Sequence, residues 1–162
     1  MVVVADTSPL IYLSRVGALG LLHTLFGEVV VPRAVWTEVV EQRTAAPGLD
    51  ALRIANWLRV VDQELPVLDL GLDAGETAAI LLAESLQADL LLIDECLGRR
   101  VAESRGLIVR GTLGVLVQAR RTGALPALRP VLERLVADGF RISPALIREA
   151  LTAVGEMDDT GV

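Results

Sequence analysis

At 162 residues the chain suits a single domain with a substantial core. It is 52% hydrophobic, but glycine, proline or a charge breaks every apolar run well short of the roughly twenty residues a membrane helix needs. One cysteine (Cys96), one histidine (His23) and no lysine argue against zinc cages, disulfide frameworks, Schiff-base chemistry and the P-loop lysine, while a net charge of −6 argues against a general nucleic-acid coat.

The chain opens on Val2-Val3-Val4-Ala5, a short run read as a strand buried on both faces, and stops at Asp6. Thr7 or Ser8 can cap a helix whose first position, Pro9, needs no N–H partner. Asp6 is thereby placed at the carboxyl end of a strand, where open α/β sheets bind ligands. No basic segment precedes this run, so the expectation is a soluble, cytoplasmic protein without a signal peptide.

Residues 17 to 26 have helical spacing and end at Gly27, a C-cap residue. Residues 28 to 32 read as a second buried strand, followed by a helix that carries Val35, Trp36, Val39 and Val40 with Glu38 between them. Ala45-Ala46-Pro47-Gly48 breaks the pattern before a short helix over 49 to 57, a peripheral strand over 58 to 62 and a loop to Leu72. Asp73 suits the N-cap of a long apolar helix reaching about Gln87, with Glu76 in capping-box relation to it. Then Asp89-Leu90-Leu91-Leu92-Ile93 ends at Asp94-Glu95, repeating the opening pattern of strand and terminal acid.

A helix over 97 to 104 carries Arg99 and Arg100, and residues 106 to 109 form a last short strand. Thr112 is the expected cap of the helix through Arg121; helices over 125 to 137 and 144 to 154 complete a domain of residues 1 to 155, with 156 to 162 expected to fray. Cys96 and His23 are read as packing residues. The alternation of strands and helices without hairpin signals predicts a three-layer α/β/α fold around a parallel sheet of four to five short strands. Right-handed crossovers then bring Asp6 and Asp94 to one cleft, with Glu38 and Glu76 leaning into it.

Four gathered carboxylates repel one another unless a hard divalent cation such as Mg²⁺ or Mn²⁺ compensates them. Metal-assisted hydrolysis is then the most economical chemistry for a chain without usable His, Cys or Lys. A carboxylate pair also fits glycoside hydrolysis, but a chain 3% aromatic lacks the platforms of a sugar cleft.

The segments VVADTSPLIYL, VPRAVWTEVV, GLDAGETAAI, LLLIDECLGRRVA and RGTLGVL occur in the order found in PIN-domain proteins, and the likeness covers nearly the whole chain. The chain resembles the small prokaryotic branch related to VapC-type toxins. That resemblance implies a PIN-like fold and a Mg²⁺- or Mn²⁺-dependent endoribonuclease, often the toxin of a toxin–antitoxin pair. Carried over by position, Asp6 and Asp94 are expected to bind metal directly, and Glu76 and Glu38 directly or through water. Glu95 stands where relatives often have a second aspartate. Thr7, Ser8 and Thr112 have hydroxyls suited to positioning a carboxylate, water or phosphate, or to ordinary N-capping. Arg99 and Arg100 are candidates for RNA phosphates. The implied partners are RNA, an antitoxin protein and a second copy of the chain, docked through an apolar surface near Leu21, Leu22 and Val35. Two alternatives stay open: a PIN-like binding module without turnover, and another metal phosphoesterase.

Overall fold

The computed structural model describes residues 1–42 and 47–157. Residues 45 and 46 of the expected chain break, and 158 to 162 of the expected tail, lie outside the described residues. Five short strands, β1 (Val3–Ala5), β2 (Val29–Pro32), β3 (Leu58–Val61), β4 (Leu90–Leu92) and β5 (Val109–Arg110), form one all-parallel sheet in the order β3-β2-β1-β4-β5. The β-branched and leucine runs of β1, β2 and β4 are buried throughout because both faces of the sheet are covered; β3 and β5, at the edges, are partly open.

The connecting helices are α1 (Thr7–Arg15), α2 (Gly20–Phe26), α3 (Arg33–Trp36), α4 (Leu49–Ile54), α5 (Ala74–Ser85), α6 (Cys96–Ser104) and α7 (Thr112–Arg121), followed by α8 (Arg129–Ala137) and α9 (Pro144–Ala153). α1 packs on α4 and α7, and α2 on α7, whereas α5 lies along β1, β2 and β4 and α6 along β5. The chain leaves β1 toward β2 and β3 and returns across the sheet to β4, so right-handed crossovers put these two helix sets on opposite faces. This is the expected three-layer α/β/α architecture. Leu10, Leu13, Ile80, Leu82, Leu91, Leu92 and Leu116 fill the space between layers with almost no exposure, each worth about 1.5–3 kcal/mol of burial. Among the described residues no single helix is long and apolar enough to cross a membrane.

Several local expectations change. The helix carrying Glu38 is not continuous: α3 passes into a π-helical turn, Thr37–Glu41, a wider coil often found at functional sites. The helix after the chain break stops at Ile54, and the last strand contracts to two residues. Leu125 and Leu128 are buried in an irregular segment that precedes α8 instead of lying on it. Leu22 and Val35 are fully buried within the chain itself, so of the three residues expected to face a second copy only Leu21 is partly open. Cys96 is exposed at the start of α6 and fills no interior space, and His23 is exposed, stacked on Trp57. Glu156, expected in a frayed tail, is anchored. Its carboxylate accepts hydrogen bonds from the backbone N–H groups of Leu128 (2.7 Å) and Arg129 (3.2 Å) and from Arg120 Nε (3.1 Å). Burial works against the charge of Glu156, yet these donors hold its carboxyl below the usual range.

Candidate active site

β1 and β4 are neighbours, and the chain runs from β1 toward one edge of the sheet and from β4 toward the other. Their carboxyl ends therefore flank the topological switch point where open α/β sheets bind ligands. Register decides what each terminal acid does. Ala5 pairs with Leu92 and the Asp6 N–H donates to Leu92 O at 2.9 Å, so Asp6 is level with Ile93, and Asp94 stands one residue beyond. Successive residues leave a strand on opposite sides, and the two aspartates accordingly turn to different neighbours.

Asp6 turns into a hollow of about 150 Å³ lined also by Thr7, Ser8, Tyr12, Arg15, Glu38, Asp73 and Glu76. It occupies the N-cap position of α1 without capping through its side chain, and it is only 3% exposed. Its Oδ1 is buried and has no hydrogen-bond partner among the described residues. Burial, reinforced by the charges of Glu76, Asp73 and Glu38, pushes its pKa from 3.8 up to about 7 against the pull of the Thr7 backbone N–H. Glu76 is buried too, and its carboxyl is raised by burial and by the charges of Asp73, Glu95 and Glu38, with the Asp73 backbone N–H opposing.

Thr7 does not cap its helix; its hydroxyl donates to Glu38 Oε2 at 3.0 Å and ties the π-helical turn to α1. Asp73 caps α5 as expected, its Oδ1 accepting from the Glu76 N–H at 2.8 Å. It also faces the acids, a role that sequence reasoning missed because the cap explained the residue completely. Gly75 is the missed signal beside it. A Cβ there would stand 2.8 Å from Glu38 Oε2, 3.3 Å from Thr7 Oγ1 and 3.6 Å from Asp73 Oδ1, so only glycine leaves these groups room to converge.

Asp94 is held differently. Its Oδ1 accepts from the Thr112 backbone N–H and its Oδ2 from the Thr112 hydroxyl, both at 2.6 Å. Thr112 is thus the first residue of α7 and is itself bound by Asp94; its hydroxyl is no cap. Gly111 permits this approach, since a Cβ there would lie 2.8 Å from both Asp94 Oδ1 and Arg99 Nη1. Burial raises the Asp94 carboxyl, while the two Thr112 bonds and the charge of Arg99 work the other way. Asp94 and Arg99 line a separate hollow of about 200 Å³ with Phe140 and Arg141. Glu95 is exposed and caps α6, accepting from the Gly98 N–H at 3.0 Å, with its charge felt at Glu76; Arg100 is exposed on the same helix.

The fold therefore gathers Asp6, Glu38, Asp73 and Glu76, places Glu95 within electrostatic reach, and sets Asp94 at an adjoining corner. Among the described residues no three acids, histidines or cysteines stand as a finished metal cage. The donor chemistry nonetheless fits a hard divalent cation: the donors are all carboxylate oxygens, and one is buried, unpartnered and beside like charges.

A family model described as a PIN domain matches residues 2–156. No curated protein and no solved structure matches the chain.

Proposed function

The chain belongs to the PIN-domain family, whose members are generally nucleases that use divalent metal ions, and from that premise we propose that it is a Mg²⁺- or Mn²⁺-dependent endoribonuclease. The observation that carries this reading is the unpartnered, buried Oδ1 of Asp6 among Glu76, Asp73 and Glu38. Asp6 and Glu76 would hold the ion, with Glu38 in reach directly or through water, while Asp94, expected as a direct ligand, has both oxygens engaged by Thr112 and would act from the adjoining corner. When bound, such an ion polarises a phosphodiester oxygen and makes water a better nucleophile at neutral pH.

The chain's own residues supply positioning. Thr7 fixes the Glu38 carboxylate at 3.0 Å, and Asp73 orients the first turn of α5 and with it Glu76. Asp94 locks the start of α7 to the end of β4, which holds the adjoining corner of the cleft rigid. Arg15, the cation lining the acid hollow, is in no ion pair among the described residues and can meet a substrate phosphate. Ser8 lines the same hollow with a free rotor for a water or phosphate oxygen.

The biological role that accords with the VapC-like motifs is that of a cytoplasmic toxin with a cognate antitoxin. Its test is growth arrest on expression, relieved in Asp6→Asn and by the product of a neighbouring reading frame. Biochemically, the purified chain should cut a fluorescent RNA with Mn²⁺ and lose that activity on Asp6→Asn. Metal-dependent melting without cleavage of any RNA would overturn the nuclease in favour of a binding module.

A further inference from the structure

The hollow beside Asp94 does not end there. It shares Arg99, Gly111, Leu113 and Leu146 with a larger cleft of about 500 Å³ that runs along β5, α7 and α9. At its other end Phe140 meets Tyr12 edge-on, ring centroids 4.9 Å apart, and Tyr12 is a wall of the acid hollow. The two joined depressions carry the basic residues, and the Tyr12–Phe140 pair stands between them and the acid hollow.

The basic end carries Arg99, Arg110 and Arg141. Among the described residues none of the three is in an ion pair, whereas Arg33, Arg53, Arg59, Arg105 and Arg120 each have a carboxylate within 4.0 Å. Arg110 is steadied by donating to Gln118 Oε1. The acids on this stretch are Glu149 and Asp94, and the oxygens of Asp94 are taken by Thr112. A molecule of net charge −6 repels a polyanion in general, so strand binding needs a local positive track. Tyr12 and Phe140, two of only five aromatic residues, sit where that track meets the acids, and aromatic rings take bases of any identity.

We propose that the acid hollow and the basic cleft act as one trough past this aromatic pair and bind one RNA strand, with the reacting phosphodiester over the acids and the neighbouring phosphates on Arg99, Arg141 and Arg110. The inference rests on the nuclease reading of the acid hollow and adds the path of the strand.

The test is fluorescence anisotropy with a short labelled oligouridylate over a salt series, using the full chain carrying Asp6→Asn so that the probe survives. Adding Arg110→Gln and Arg141→Gln should weaken binding at least tenfold at low salt. It should also reduce the slope of log K against log salt by about 1.4, from roughly 0.7 for each phosphate that is no longer neutralised. Adding Arg53→Gln and Arg59→Gln, whose arginines are already paired elsewhere, should leave the slope unchanged. Arg141→Glu alone, at an exposed side chain, guards against a folding artefact and should weaken binding with the melting temperature unaltered. An unchanged slope in the double arginine variant, or no binding before it, overturns the trough. Cleavage by the unsubstituted chain with Mn²⁺, measured alongside, separates the two readings: cleavage with an unchanged slope removes the trough and leaves the nuclease standing.

Discussion

The ends of β1 and β4 lie side by side in the sheet, and each is finished by an aspartate whose carboxyl burial raises, Asp6 fully buried and Asp94 half-buried, yet the two are partnered differently. Asp94 has both oxygens engaged by Thr112 and a guanidinium nearby, so the protein offsets part of the cost of burying its charge. Asp6 has an oxygen with no partner and three carboxylates acting on it, so its charge is left for something else to compensate. The difference comes from one residue of register, and it teaches that a terminal acid is defined by what the next strand presents to it. A satisfied carboxylate organises the fold, and an orphaned one stores the capacity to bind a cation or a proton.

The sharpest way to break that comparison is Asp6→Asn. Cleavage should fall at least about a thousandfold, roughly 4 kcal/mol at the transition state, while the metal-free protein melts at the same temperature or higher. A similar loss of cleavage in Asp94→Asn with no change in stability would erase the distinction between the two ends.

Next in size is a pH effect confined to the Asp6 end. The folded chain binds this proton more tightly than the unfolded chain, because the pKa rises from 3.8 to about 7. The stabilisation is therefore fully present below pH 4 and is lost as pH rises through about 7, roughly 4 kcal/mol in all for a metal-free sample. Denaturant unfolding in EDTA across that range should show the decline, and Asp6→Asn should flatten it. Added Mn²⁺ should restore stability above pH 7 in the unsubstituted chain alone.

Asp94→Ala tests the other end. It leaves the Thr112 N–H without its carboxylate and should cost about 1.5–3 kcal/mol of stability whether or not metal is present. A cost that appeared only with metal would assign Asp94 to the ion instead.

The smallest effect is expected at Gly75→Ala. The added Cβ displaces the flexible end of Glu38, so cleavage should drop about tenfold, or 1.4 kcal/mol. Stability should change by less than about 1 kcal/mol because alanine suits a helix. Unchanged kinetics would show that Glu38 is not needed where Thr7 holds it.

What could be read from the chain was the local part. The β-branched run ending at Asp6, the leucine run ending at Asp94 and the Asp73 cap of α5 are patterns of neighbouring residues, and all three stand in the fold. So does the parallel three-layer architecture, because alternating buried strands and helices without hairpin turns leave few other arrangements. The candidate acids were legible as a set, since each closes or opens an element. Their division into two corners was not. Pairing of Ala5 with Leu92 and of Leu92 with Arg110 sets which acid meets which neighbour, and register is a relation between strands distant in sequence. For the same reason the second role of Asp73 and the anchoring of Glu156 belong to the tertiary structure alone. Local sequence chooses helix, strand and cap through contacts a few residues apart, whereas electrostatic state depends on burial and on partners that only packing brings within reach.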